Sequence, residues 1–349
     1  IGESLKEQKM PVFGKFHQRL KKDTERGRRV DPETWHLPDG TICSRVLKEI
    51  LGYVPETVIR LDRGANSYPL LVWDSRNSRK WKLFWVYSEK NVIDIVEATR
   101  IIREKKIPIP EIRGVAGSYI LAEWIDGIPL KKELPFRYMR EMAAYQASIH
   151  GAFSEEPTKA DYFTDKIFDW LDSKRSTFLS FLREKDFNEM LFLLKEESPE
   201  NLAKGIRHTD LRPFNLVRTE TGCIYCIDNA DLSIGMGFES DIFETVYYSF
   251  SLVPWHIPRY LAQIITLLPQ STILEAWNFW NLLYLLNRAI SEIEVKKGKH
   301  ARKIKNYREK ILGAIVQKRH GHEVLLNKGI YSKTKRLVCF FIERNAKRE

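Results

Sequence analysis

From Thr57 the chain carries short runs rich in apolar β-branched and aromatic residues, TVIRL, YPLLVW and KLFWVY, separated by the turn stretches RGANS and DSRNSR. Short runs of this composition bounded by turn residues are the signature of strands. The pattern predicts strands over Thr57 to Leu61, Tyr68 to Trp73 and Lys80 to Tyr87, most simply joined as an antiparallel meander. The pattern then changes. In NVIDIVEATRIIREKK the apolar residues Ile93, Ile95, Ala98, Ile101 and Ile102 recur at helical spacing, and the IPIP segment that follows stops the helix because proline cannot continue its hydrogen-bond ladder. Two more short strands are expected around Ile112 to Val115 and Tyr119 to Trp124, followed by the loop IDGIPL.

From Leu134 onward the pattern is mostly helical, through RYMREMAAYQASIHGAF, DKIFDWLDSKRSTFLSFLREK, FNEMLFLLKEE and the long C-terminal stretches. One interruption breaks it. LVRTETGCIYCID reads as two short strands around a Glu-Thr-Gly turn, flanked by the polar run HTDLRPFN on one side and by Asp228 on the other. Ahead of the meander, residues 1–54 form a basic extension with one short helix, SRVLKEILGYV. The expected organisation is therefore an extension over 1–54, a small antiparallel β lobe over 55–125, and a large helical lobe over 126–349.

A chain of 349 residues, 43% hydrophobic, can bury two such cores. No stretch reads as a membrane span: Pro254, His256, Pro258 and Arg259 break the segment from Val246 to Pro269, and Glu275, Asn278 and Asn281 interrupt the run from Ile273 to Leu286. The N-terminal IGESLKEQKM has charges where a signal peptide has its apolar core, which leads to the expectation of a cytoplasmic protein. Four cysteines do not make a disulfide framework. Cys223 and Cys226 are spaced as a CxxC, but in a strand residues three apart face opposite ways, so they read as buried strand thiols rather than metal ligands. The formal charge of +11 favours an anionic partner. Its basic runs, KFHQRLKKDTERGRR and KKGKHARKIKNYREK, each read first as a solvated helix face, with a nucleic-acid or membrane patch as the alternative.

Phosphoryl transfer from ATP explains the polar run. That reaction needs a carboxylate to take the proton of the acceptor hydroxyl, oxygen ligands for Mg2+, and a cation near the moving phosphoryl group. In HTDLRPFN, Asp210 has the type and place of the base, Arg212 of the cation and Asn215 of a metal ligand; Asp228, thirteen residues after Asn215, is the second metal ligand.

HxDxxxxN, a hairpin and then an aspartate resembles the catalytic loop and metal-binding segment of the protein-kinase-like superfamily. The details are similar to its aminoglycoside phosphotransferase and choline kinase branch, to which bacterial spore-coat and lipopolysaccharide kinases are related. Asp228 stands in IDNAD rather than DFG, and IDNADLSIGMGFESDIFE resembles that branch's run of metal aspartate, glycine turn and structural aspartate, the last matched by Asp241. RGANSY resembles its phosphate-facing turn, EATRIIREKKIPIPEI its first helix, YILAEWIDGIPL its hinge strand, and AAYQASIH the helix opening the large lobe. The resemblance spans Thr57 to Phe250. It implies a bilobal α+β fold with the catalytic loop at 208–215 and the metal-binding segment at 228–241. It further implies an ATP site that uses Gly64, Asn66 and Ser67 of the turn, Glu97 of the helix, and the backbone of Glu123 and Ile125. The phosphate-binding strand lysine is the departure. The best register puts Trp85 in its place, so that either Lys82 serves from a shifted register or the pocket lacks a lysine.

The expected function is an ATP- and Mg2+-dependent kinase acting on a hydroxyl of a small molecule or sugar. Trp255, His256, Trp277 and Trp280 are candidates for stacking on a sugar ring, with burial in the core as the alternative. The positive ends suggest an anionic or membrane-surface acceptor, such as a lipopolysaccharide or surface polysaccharide precursor, and a peripheral place at the membrane. A kinase-like regulator that binds nucleotide without efficient catalysis is the second possibility, motivated by Trp85 and the glycine-poor turn. Nucleic acid is disfavoured because no recognition motif is present.

Overall fold

The computed structural model describes residues 27–61, 69–132, 135–208, 210–249, 256–294, 301–319 and 334–346. The chain divides into two compact units, the first made of Ile1–Ile93 and Pro110–Trp124, the second of Asp94–Ile109 and Ile125–Glu349.

The first unit is built on a six-stranded antiparallel sheet of β1 (Arg28–Val30), β2 (Thr57–Arg60), β3 (Leu70–Asp74), β4 (Arg79–Trp85), β5 (Ile112–Ala116) and β6 (Tyr119–Glu123), in the order β1-β2-β3-β4-β6-β5. The three-strand meander lies where those apolar runs put it. Strand β4 stops at Trp85 because its ladder with β6 closes there, Trp85 opposite Tyr119, and the next N–H, of Val86, bonds the Ser118 carbonyl instead. β1, in the extension, was not anticipated; of its three residues only Val30 is buried, so its sequence carries little strand signal.

One face of the sheet packs under helix α1 (Cys43–Leu51). Val46 and Leu47 of the helix meet Val58, Val72, Trp81, Leu83 and Leu121, with Trp85 partly buried against the same core. The approach is close enough that a Cβ at Gly114 of β5 would lie 2.8 Å from the Ile50 side chain. Since strand side chains alternate, Lys80, Lys82 and Phe84 occupy the opposite face of β4.

Helix α2 (Glu89–Glu104) leads out of the first unit. Among the described residues the second unit is helical with three small antiparallel sheets. Its helices are α3 (Pro135–Gly151), α4 (Asp161–Ser173), α5 (Arg175–Leu179), α6 (Glu184–Glu196), α7 (Phe238–Ser249), α8 (Ile257–Leu267), α9 (Trp277–Glu294), α10 (Ala301–Arg319) and α11 (Thr334–Ala346). Strand β10 (Lys204–His208) pairs with β13 (Leu232–Met236), β8 (Thr158–Lys159) with β9 (Asn201–Leu202), and β11 (Leu216–Arg218) lies between β12 (Ile224–Cys226) and β7 (Ile128–Pro129). The segment from Asp165 to Lys185, expected as one helical stretch, is divided at Lys174, where α4 ends and α5 begins.

One open alternative is decided and one expectation is corrected. Trp277 and Trp280 are 4% and 0% exposed, and the Trp280 indole N–H donates to Thr272 Oγ1 at 3.1 Å, so both rings belong to the core and neither is free to stack on a sugar. His256 is partly buried before α8, and Trp255 lies outside the described residues. Cys226 is a buried strand thiol as expected, whereas Cys223 precedes β12 and is exposed, because the β11–β12 turn runs through Gly222 and Cys223. No helix among the described residues is long and apolar enough to cross a membrane.

Candidate active site

The polar loop is held at both ends by small sheets of the second unit. At its start, β10 delivers His208, whose backbone N–H donates to Asp241 Oδ2 at 2.7 Å across from the first turn of α7. The strand is pinned a step earlier by the buried His150 of α3, whose Nδ1 lies 2.6 Å from the Ile206 carbonyl. At its end, Asn215 accepts the Ile227 N–H at 2.8 Å, and Leu216 pairs with Cys226 in the β11–β12 hairpin. That register brings Asn215 and Asp228 to the same end of the hairpin although thirteen residues separate them. The Cys226 N–H bonds the Tyr145 hydroxyl at 2.9 Å, and that hydroxyl donates onward to the Pro108 carbonyl at 2.8 Å, which ties the hairpin to α3.

Within the loop, the Arg212 N–H bonds the Asp210 carbonyl and the Asn215 N–H bonds the Arg212 carbonyl, each at 2.8 Å, a tight turn that faces three polar side chains together. The Asp210 N–H donates to His208 Nδ1 at 3.1 Å, so that nitrogen is an acceptor and the ring proton sits on Nε2, directed at Asn229 Oδ1 (3.2 Å) and Cys226 Sγ (3.0 Å). The buried histidine is therefore a strut of the loop. Asp210 itself is clasped on both oxygens: Asn215 Nδ2 donates to Oδ2 at 2.7 Å, and Arg212 Nε pairs with Oδ1. Burial pushes the Asp210 carboxyl above its ordinary value and Asp228 adds to this, while Arg212 and Asn215 pull the other way. A carboxylate with raised proton affinity suits a general base.

Asn215 spends its NH2 group on Asp210, on the side chain and on the carbonyl at 3.1 Å, which leaves the amide oxygen as the end for a cation. Among the described residues no three His, Cys, Asp or Glu side chains converge into a metal cluster. The donor set of one amide oxygen and one carboxylate suits Mg2+, which keeps much of its hydration and takes one or two protein oxygens beside those of a phosphate.

The far side of Arg212 leads to residues that the sequence pattern did not single out. Glu244 Oε1 on α7 lies 4.0 Å from Arg212 Nη2 and 3.7 Å from Arg288 Nη1 on α9. Arg288 is also 3.8 Å from Glu292, which Lys303 of α10 approaches to 3.4 Å. Burial pushes the Glu244 carboxyl up, and Arg212 and Arg288 pull it down. The available signal was one charge in each of two largely apolar helical stretches, IFETV and LLNRAI, where a buried charge demands a partner.

In the first unit, Lys82 lies on the sheet face away from α1, with Nζ 5.2 Å from the Phe84 ring centroid, whereas Trp85 packs against the α1 core. The N–H groups of Glu123 and Trp124 are taken by the carbonyls of Glu111 and Lys80. Ile125 begins the second stretch of the other unit. Glu97, expected to anchor a strand lysine, has Oε1 and Oε2 engaged by Arg100 of its own helix at 2.7 and 3.0 Å. Gly64, Asn66 and Ser67 lie outside the described residues.

Residues 86–236, which include the whole loop and hairpin, match the family described as Phosphotransferase enzyme family. No curated protein sequence matches the chain. Among solved structures, a thermostable mutant of an aminoglycoside phosphotransferase in ternary complex with ADP and hygromycin B is similar, at TM-score 0.55 and 15% identity, over 78% of this chain and 98% of the other. Choline kinase LicA from Streptococcus pneumoniae follows at TM-score 0.52 and 13% identity, over 77% and 97%, and the ethanolamine kinase of Plasmodium vivax at 0.52 and 17%, over 90% and 95%.

Proposed function

We propose that the chain, whose residues 86–236 match the phosphotransferase family, is a member of the aminoglycoside phosphotransferase and choline kinase branch of the protein-kinase-like superfamily and carries out an ATP- and Mg2+-dependent transfer of the γ-phosphoryl group to a hydroxyl of a small molecule or sugar. The observation that carries this reading is the Asp210 carboxylate, clasped between Arg212 Nε and Asn215 Nδ2 in a partly buried loop. Asp210 takes the proton of the acceptor hydroxyl while the acceptor oxygen bonds to phosphorus and the bond to the ADP oxygen breaks. Arg212 supplies positive charge beside the reacting group, and Asn215 and Asp228 hold the metal that neutralises phosphate charge when bound. Lys82 is the cation we assign to the ATP phosphates, since it leaves the α1-covered face of β4 while Trp85 occupies it.

Acceptors of the kind in the names of choline kinase and ethanolamine kinase, and hygromycin B, are small molecules, and a small-molecule acceptor is the reading for this chain too. The basic ends extend it to an anionic acceptor, a lipopolysaccharide or surface polysaccharide precursor met at the membrane surface. Labelled ATP offered with sugars, aminoglycosides and choline-like alcohols tests the class. Asp210→Ala should abolish transfer while leaving Mg-ATP binding by calorimetry nearly intact; undiminished transfer rejects Asp210 as the base.

A second reading, a regulator that binds nucleotide without efficient turnover, is favoured by Glu97, whose oxygens Arg100 already occupies. A thermal shift with Mg-ATP but no turnover on any acceptor supports it.

A further inference from the structure

We infer that Glu244 is a positioning residue of the transfer reaction: fixed by Arg288, it holds the outer end of the Arg212 guanidinium so that Nε stays on Asp210. This rests on the phosphotransfer reading above and adds to it a residue that touches neither nucleotide nor acceptor.

Three observations carry it. First, Glu244 Oε1 lies between two guanidinium groups, 4.0 Å from Arg212 and 3.7 Å from Arg288, while Arg212 Nε faces Asp210 from its other edge. An arginine side chain left to itself samples many rotamers, and carboxylates at both edges of its planar fork reduce that freedom. Second, the side chains of Arg212, Glu244 and Arg288 are only 25%, 19% and 17% exposed, so their charges are less screened than those of surface pairs. Third, the signs alternate without a break from Asp210 through Arg212, Glu244, Arg288 and Glu292 to Lys303. Removing the Glu244 charge would leave two guanidinium groups with no anion between them, and the displacement would fall on Arg212, which is carried by a loop, rather than on Arg288, which lies on α9 and also faces Glu292.

The test uses the full chain and Mg-ATP with water as the acceptor, read as phosphate release. Glu244→Gln removes the charge and keeps the shape. Its kcat should fall about tenfold, with KM for Mg-ATP within about twofold, the split expected when only transition-state geometry is lost. In an Arg212→Ala background the same substitution should have no further effect on the residual rate, whereas a general loosening of the fold would add its loss there too. Glu244→Asp, which keeps the carboxylate, should retain most of the rate. Full kcat in Glu244→Gln, an additive loss in the Arg212→Ala background, or an equal loss in Glu244→Asp at unchanged melting temperature would each overturn the inference. Asp210→Ala run in parallel separates the two claims: if hydrolysis survives that change, the phosphotransfer reading itself fails and this one with it.

Discussion

Proton affinity in the second unit is set mainly by burial, and Glu239 illustrates the consequence for stability. It sits in the first turn of α7, fully buried, and accepts the Thr272 N–H at 3.0 Å and the Thr272 hydroxyl at 3.1 Å. Burial nonetheless pushes its carboxyl up from 4.5 to about 7, with Asp241 adding to the rise. Between those values the folded chain keeps a proton that the unfolded chain has lost. Stability therefore falls as pH rises from about 4.5 to about 7 and levels off above, by roughly 3 kcal/mol over the interval. Glu239→Gln mimics the protonated acid and keeps an oxygen for both Thr272 donors. Its melting temperature should decline less than that of the native chain between pH 5 and about 7.5; parallel curves would show that Glu239 is ionised throughout. The residues to which we assign the chemistry, Asp210, Arg212, Asn215 and Asp228, could be singled out from the sequence because they are close along it and a hairpin spaces them. Glu244 and Arg288 were not, since only the packing of α7 on α9 brings them to Arg212, and amphipathic patterns do not encode which helix faces which.

Elements of the site depend on glycine at two turns that behave differently. Gly237, between β13 and α7, has φ +82°, and a Cβ there would lie 2.2 Å from Phe163 Cζ; Gly222, in the β11–β12 turn, has φ +85° and open space around it. Gly222→Ala carries only the left-handed backbone cost of about 1–2 kcal/mol. Gly237→Ala carries that and a clash with a ring of α4, in the turn that sets Asp241 under His208. The melting temperature should drop clearly further for Gly237→Ala, with activity lost alongside it; equal drops would mean that Phe163 yields freely. Glycine also explains which strands the sequence hid. The β11–β12 hairpin was readable because apolar residues flank a Glu-Thr-Gly turn. β10 and β13 were missed because Gly205 and Gly235 stand opposite each other one step in from the end of the pair, and glycine is depleted in strands. Gly205 is there for space: a Cβ would lie 2.8 Å from the His150 carbonyl and from the Phe238 ring. The pairing that aims His208 is thus made of residues whose composition argues against a strand.

Across the whole molecule, charge is divided in a way that the net value conceals. Residues 1–30 carry nine Lys and Arg against four Asp and Glu, and residues 296–349 carry seventeen against four, so the chain between them is net acidic despite the total of +11. Some of the C-terminal charge is spent internally, as Lys303 faces Glu292 and burial pulls Lys310 below its ordinary value. An acidic central region, alone, would be repelled by an anionic surface, so any attraction must come through the ends and must be electrostatic. Screening lengths of about 10 Å at 0.1 M salt and about 3 Å at 1 M then set the outcome. Co-sedimentation with vesicles containing anionic lipid should be strong at low salt and largely lost by about 0.5 M, and vesicles of neutral lipid should bind little at any salt. Retention that is the same on both surfaces, or indifferent to salt, would remove the electrostatic basis for an acceptor at the membrane surface and leave the Asp210 chemistry to a freely diffusing small molecule.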